Sequence, residues 1–383
     1  MRGAVWEVAN RLGVVAGTPA ELFSALLAGP RRTVRVALPP DHALVRTLRP
    51  LGHVDLVVDE PREPPPAAPS DLDDPAAICA ADPVGVTRAY EADPAPRGGL
   101  RSAWLRAGQS LLRDQDPADR ALVLLAALDD AADPRLARAL TRQAAGAPWG
   151  LAWSSRRPCT ALTTTPDGRL VVWEDRVLAV ACLPDGTRTA LDERGRLRTR
   201  GGPATRLTDA VAATLASHPA TALAAAGGTV LTGDRMGTVH AFGLDGLEQA
   251  ALHSGRVTAL TATAPVGPVA TACPAMAAGP VASPPPAPFM VYSGGADGTV
   301  RAWCPGRAPG REPVADRPYP VVALHARGGL LAVAWADGLA ELHHLGPGRA
   351  VPFRPGPRIR AVAVTADGSL AVGLDDAVLC LCE

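Results

Sequence analysis

Short bursts in which small apolar residues alternate with larger ones recur along the last two-thirds of the chain; Thr221-Ala222-Leu223-Ala224 and Ala361-Val362-Ala363-Val364 are typical. A period of two puts alternate side chains on opposite faces, the pattern of strands. Similar segments begin near Thr160, Leu178, Thr258 and Val322. Turns follow at Asp167-Gly168, Asp185-Gly186, Gly227-Gly228, Gly328-Gly329 and Asp367-Gly368, where tight hairpins need glycine. The first 150 residues read differently. Leu12 to Ala16 predicts a strand, Thr18-Pro19-Ala20-Glu21 caps a helix reaching about Leu27, and Thr33 to Leu38 predicts a second strand. Asp41 to Leu51 then reads as a helix and Val54 to Val58 as a third strand, so residues 1–60 are expected to form a small α/β unit with parallel strands.

Residues 61–74 form a proline-rich, acidic linker. Asp-Pro pairs at Asp74-Pro75, Asp82-Pro83, Asp116-Pro117 and Asp133-Pro134 each open a helical pattern, giving a helical unit over residues 75–150. Leu100, Trp104, Leu111 and Leu112 share one helix face, and Ala121 to Leu128 is apolar all round.

The later segments repeat. Val230 to Phe242 and Val291 to Trp303 both read as strand, glycine turn, strand and closing aromatic residue. A repeat of about 40 residues signals a propeller of four-stranded blades. Asp297-Gly298-Thr299-Val300-Arg301-Ala302-Trp303 resembles the blade ending of the WD40-like propeller family; Gly237 to Phe242 and Asp337 to Leu342 are fainter copies. The resemblance covers about residues 159–383 and implies a divergent propeller of about five blades, with six as the alternative. Thr160 and Leu178 stand too close to start separate blades. Cys304 replaces the aspartate of the family's Trp-Asp dipeptide and no Gly-His pair opens a repeat, so the family's polar network is expected to be absent. Ala377 to Cys382 reads as the third strand of the last blade, with Arg169 to Glu174 expected to supply its fourth. A Pro/Ala-rich insertion at 265–288 separates two strands of one blade and is expected to be disordered or to protrude.

Composition removes several chemistries. Lysine is absent, which excludes a P-loop and a Schiff-base nucleophile, and its replacement by arginine fits a GC-rich genome of the actinobacterial kind. Formal net charge is +0, which argues against nucleic acid and anionic membrane as partners. Seven cysteines without CxxC spacing, no signal-peptide pattern and no membrane-length apolar run together predict a soluble cytoplasmic protein.

Candidate sites are few. Arg194, Arg196, Arg198 and Arg200 alternate, as on one face of an exposed strand that could grip phosphates. Adjacent His343 and His344 would point to opposite faces, poor geometry for one metal, and Cys380 and Cys382 read as core thiols. Neither GxSxG nor HExxH occurs. No catalytic residue, metal site or cofactor is indicated. The expected function is a non-enzymatic scaffold or sensor for a protein or peptide partner, with Arg301, Trp303, Trp335 and Arg360 as binding residues. The alternative is an N-terminal nucleotide- or metal-binding unit regulated by the propeller, with Asp41, Asp59 and Glu60 as its acids.

Overall fold

The structure, a computed structural model, describes residues 2–27, 32–37, 42–59, 69, 71–202, 205–244, 246–263, 289–346 and 348–383. Helix α1 (Arg2–Leu12) buries Val5, Trp6, Val8, Ala9 and Leu12, one apolar stripe. Gly13, at φ +64°, ends it. The strand expected over Leu12 to Ala16 does not form. That segment finds its partner in a side chain: Gln109 Nε2 donates to the Val14 carbonyl at 2.6 Å, and Ala16 N–H donates to Gln109 Oε1 at 2.9 Å.

Thr18 caps α2 (Pro19–Leu26) as expected, accepting from Glu21 N–H at 3.2 Å, while Glu21 Oε2 accepts from Gly17 N–H at 2.7 Å. β1 (Arg32–Ala37), α3 (Ala43–Leu48) and β2 (Val54–Asp59) follow, the two strands pairing in parallel from Arg32↔Val54 to Ala37↔Asp59. Two strands therefore stand where three were expected.

The helical unit contains α4 (Pro75–Ala80), α5 (Pro83–Ala92), α6 (Leu100–Leu111), α7 (Pro117–Ala127) and α8 (Pro134–Gln143). Asp74, Asp82 and Asp133 each accept a hydrogen bond from the first-turn amides, satisfying donors the helix leaves open. Trp104 is fully buried and donates through Nε1 to Thr87 Oγ1 at 3.0 Å. One apolar core runs from this unit into the propeller, joining Trp104, Leu111, Leu122 and Leu140 to Leu342, Phe353, Leu370 and Leu379.

The rest is a propeller. After β3 (Gly150–Ser155), β4 (Ala161–Thr164) and β5 (Leu170–Trp173) form a two-stranded sheet, and β6 (Ala179–Cys182), β7 (Arg188–Leu191) and β8 (Leu197–Arg200) a three-stranded one. Helix α9 (Arg206–Ser217) leads into a four-stranded blade of β9 (Ala222–Ala226), β10 (Thr229–Gly233), β11 (Thr238–Gly243) and β12 (Gly246–Ala251). The next blade has β13 (Val257–Thr263), β14 (Met290–Gly295), β15 (Thr299–Trp303) and β16 (Ala315–Asp316); the one after has β17 (Val321–Arg327), β18 (Leu330–Trp335), β19 (Ala340–His344) and β20 (Arg349–Phe353). The last has β21 (Ile359–Val364), β22 (Leu370–Leu374) and β23 (Val378–Cys382).

Strands β4, β6, β9, β13, β17 and β21 pack in that order around one axis, and β21 returns to β4. Five blades of three or four strands thus share the ring with a two-stranded sector. All six segments expected as inner strands occupy the axis, including those near Thr160 and Leu178. The close spacing of those two is accommodated because the β4–β5 sector lacks outer strands. The last blade does borrow its fourth strand from the start of the region, but from β3 rather than Arg169 to Glu174; Cys382 pairs with Gly150 and Val378 with Ser155. β5 pairs instead with β4. The expected insertion at 265–288 lies outside the described residues.

Candidate functional site

Blade edges are fixed by aspartates in the turns between second and third strands. Asp297, in the turn after β14, accepts from Thr299 N–H at 3.1 Å and Ser254 N–H at 3.1 Å. The fully buried His253 ring sits between this carboxylate and β14, with Nδ1 3.1 Å from Asp297 Oδ1 and Nε2 2.9 Å from Ser293 Oγ. Burial holds the His253 pKa below its ordinary value although Asp297 opposes the shift. Burial alone would raise the Asp297 pKa; the hydrogen bonds from Ser254 and Thr299 outweigh it and leave the carboxyl below its usual range. The polar network expected to be absent is therefore present in this blade. Leu252 precedes the histidine, so no Gly-His pair marks the network in the sequence.

In the next blade arginines take the histidine's place. Asp337, its side chain fully buried, accepts from Arg317 Nη2 at 3.1 Å and Arg354 Nη2 at 2.7 Å. Arg317 also lies 5.7 Å from the Trp335 ring, and Trp335 Nε1 donates to Glu341 Oε2 at 2.7 Å. The Arg354 carbonyl accepts from Ser110 Oγ of α6 at 2.8 Å, linking this network to the helical unit.

A cleft of about 910 Å³ opens beside that link. One wall is α1, α2 and α6, presenting Trp6, Glu21, Ser24 and Arg106; the other is propeller, presenting Trp335, Arg358, Arg360 and Asp375. Arg106 forks onto Asp376 and Arg360 pairs with Asp375. Arg358 forms no ion pair among the described residues; desolvation of its guanidinium, reinforced by Arg360 and opposed by Asp375, lowers its pKa. The cleft thus offers an apolar floor, paired charges and one uncommitted guanidinium.

The residues singled out in the sequence are not gathered together. Trp335, 1 % exposed, and the exposed Arg360 border the cleft. Trp303 is core in a different blade, its Nε1 donating to the Arg307 carbonyl at 2.9 Å, and Arg301 Nη1 donates to the Arg311 carbonyl at 2.9 Å. Asp41 and Glu60 lie outside the described residues, and Asp59 is the last residue of β2.

The arginine run is not one cationic face either. Arg194 and Arg196 belong to a turn whose amides bond Asp192, while Arg198 pairs with Asp192 and Arg200 with Asp175. His344 faces Glu383 at 2.7 Å and His343 faces Glu341 at 3.4 Å. Cys380 is buried, which pushes its thiol up to about 11, and Cys382 is exposed. Among the described residues no group of three or more His, Cys, Asp and Glu could hold a metal ion.

These features define a β-propeller with a helical unit docked against its last two blades. No family model matches the chain, and no curated protein matches it. Solved structures similar to it include the computationally designed Ika8 protein, at 18% identity and TM-score 0.36 over 58% of this chain and 70% of that one. The WD40 beta propeller domain of Doa1 matches at 12% identity and TM-score 0.36, over 62% and 98% of the two chains. A chain of the mitotic checkpoint complex matches at 13% and 0.36, over 60% and 91%. The fold assignment rests on the ring of inner strands rather than on these likenesses.

Proposed function

We propose that the protein is a non-enzymatic interaction scaffold or sensor that holds a protein or peptide partner in the cleft between helices α1, α2 and α6 and its propeller. The observation that carries this reading is how the cleft walls are joined. A continuous apolar core and the Ser110–Arg354–Asp337 chain of hydrogen bonds fix α6 against the blade, and Gln109 of α6 holds the Val14–Ala16 segment between α1 and α2, so little ordering remains to oppose binding. Arg358 supplies a cation for an acidic group of the partner, and Trp335 with Arg360 completes that wall. Arg301 and Trp303 stand apart from it. No observation favours the N-terminal nucleotide- or metal-binding alternative. The reading places the protein in a reducing cytoplasm, in keeping with the lack, among the described residues, of any disulfide and of any helix long and apolar enough to cross a membrane.

Filling the cleft tests this. Ser24 is exposed on α2 and faces it, so Ser24→Trp should occupy the space without loss of stability. The full-length chain should retain a stoichiometric partner from native lysate that the Ser24→Trp chain, of equal thermal midpoint, releases. Equal retention by both chains would refute the assignment of the cleft.

A further inference from the structure

Two side chains of β17 reach past their neighbour in the ring. His325 and Arg327 stand two residues apart at the end of β17, so their side chains leave the same face of the strand. Strand β21 lies between β17 and β4 in ring order, yet both side chains arrive at β4 and the turn after it. His325 Nε2 lies 3.2 Å from Thr164 Oγ1, and Arg327 Nη2 donates to the Pro166 carbonyl at 3.3 Å. Gly168 makes room for the second contact, because a β-carbon there would come within 2.7 Å of Arg327 Nη2.

Beside these contacts the propeller channel opens into a space of about 250 Å³, walled by β4, β6, β9, β13 and β17. Arg327 is the one guanidinium in that wall, and no carboxylate of the described residues lines it. The aspartates in the turns after β4, β6 and β21 stand outside it, held by their own turns. Asp167 pairs with Arg169 at 3.0 Å, Asp185 accepts from Thr187 N–H at 2.9 Å, and Asp367 accepts from Ser369 N–H at 3.2 Å. Arg327 is half-buried and forms no ion pair among the described residues. Its Nε and Nη1 make no hydrogen bond there and are not buried, so they remain open to a ligand.

A second donor faces the same space. Val364 N–H donates to His325 Nδ1 at 3.1 Å, so the imidazole proton sits on Nε2 and goes to Thr164 Oγ1. The Thr164 hydroxyl already accepts, and no acceptor among the described residues takes its own hydrogen. A partly desolvated cation ordinarily has a counter-charge close by, and this wall supplies donors without one.

We propose that this end of the channel binds a phosphate group on the Arg327 guanidinium and the Thr164 hydroxyl. The planar fork of a guanidinium matches two oxygens of a phosphate, and low-dielectric walls strengthen the attraction. The size of the space suits inorganic phosphate or a compact monoester. No residue of the cleft takes part, so the site stands or falls independently of the partner assigned there.

The test is isothermal titration of the phosphate-free, full-length chain with inorganic phosphate and, separately, with glycerol 3-phosphate. A single site per chain is expected, and the tighter of the two ligands tells whether the ion or its ester is held. Arg327→Gln should weaken binding of either by about tenfold or more. Arg327→Lys, which keeps the charge and loses the fork, should fall between, and Thr164→Val should cost about threefold. Arg135→Gln removes an exposed charge of α8 that forms no ion pair among the described residues, and it should change nothing. Thermal midpoints confirm that each variant is folded. Absence of binding at millimolar levels of both ligands would overturn the proposal. Binding that survives Arg327→Gln, or that Arg135→Gln weakens equally, would overturn it too.

Discussion

Arg354 reaches Asp337 twice: Nη1 donates to its backbone carbonyl at 2.9 Å and Nη2 to its carboxylate at 2.7 Å. The carboxylate is fully buried, so these bonds and the one from Arg317 are what make its charge tolerable. The same arginine's carbonyl holds Ser110, which makes the pair the joint between propeller and helices. Replacing Asp337 by alanine strands two arginines and is expected to cost about 3 to 5 kcal/mol. Replacing Arg354 by methionine leaves Arg317 in place and should cost less, about 1 to 3 kcal/mol. Denaturant titration of the two variants checks the order.

Gln109 is the equivalent device for the N-terminal helix. It is 5% exposed and spends its amide on Val14, Ala16 and Asn10. Gln109→Leu keeps the volume but leaves the Val14 carbonyl and the Ala16 N–H unpaired, at about 1 to 3 kcal/mol for each group that stays buried. Hydrogen exchange should rise first at residues 13–17, which form one wall of the cleft.

Gly108 lets α1 lie directly on α6. A β-carbon there would come within 2.2 Å of the Trp6 ring. Gly108→Ala is therefore expected to push Trp6 out and loosen α1, although alanine favours helix intrinsically. Trp6 fluorescence cannot be isolated among seven tryptophans, so a Trp6→Phe control is needed to assign the change.

Two histidines, His253 with its ring fully buried and the half-buried His325, set a pH limit. His325 Nδ1 accepts from Val364 N–H at 3.1 Å, which leaves Nε2–H to donate to Thr164 Oγ1 at 3.2 Å. Burial, with Arg327 nearby, lowers its pKa to about 4, and His253 shifts in the same direction. In the unfolded chain both protonate near their ordinary value, so between there and the folded values the unfolded state binds more protons. Stability should be steady above about pH 6.5 and fall as the pH drops toward 4, by at most about 1.4 kcal/mol per pH unit per histidine. Denaturant titrations at several pH values should show this, and His325→Gln should flatten it.

The inner strands were legible because a strand buried on both faces at a crowded axis must use small apolar residues, as Ala222 to Ala226 and Ala361 to Val364 do. The closing strand was not. Gly150 to Ser155 is an outer strand, mostly exposed, and carries no apolar alternation to betray it. Leu12 to Ala16 looked like a strand by composition, but its partner is the side chain of Gln109, about ninety residues away, which no local pattern records. The cleft was half visible: Trp335 and Arg360 carry its propeller wall, with Arg358 two residues before Arg360, while Arg106 joins them only through the docking of α6 on the propeller.

The most direct test of the central claim is site-specific photocrosslinking in the full-length chain. A small diazirine side chain at Ser24, which leaves the cleft open, is compared with one at Arg349, on an outer strand. The account predicts one partner crosslinked in stoichiometric yield from Ser24, competed away by unlabelled chain, and none from Arg349. Crosslinking from Arg349 but not from Ser24 would contradict it.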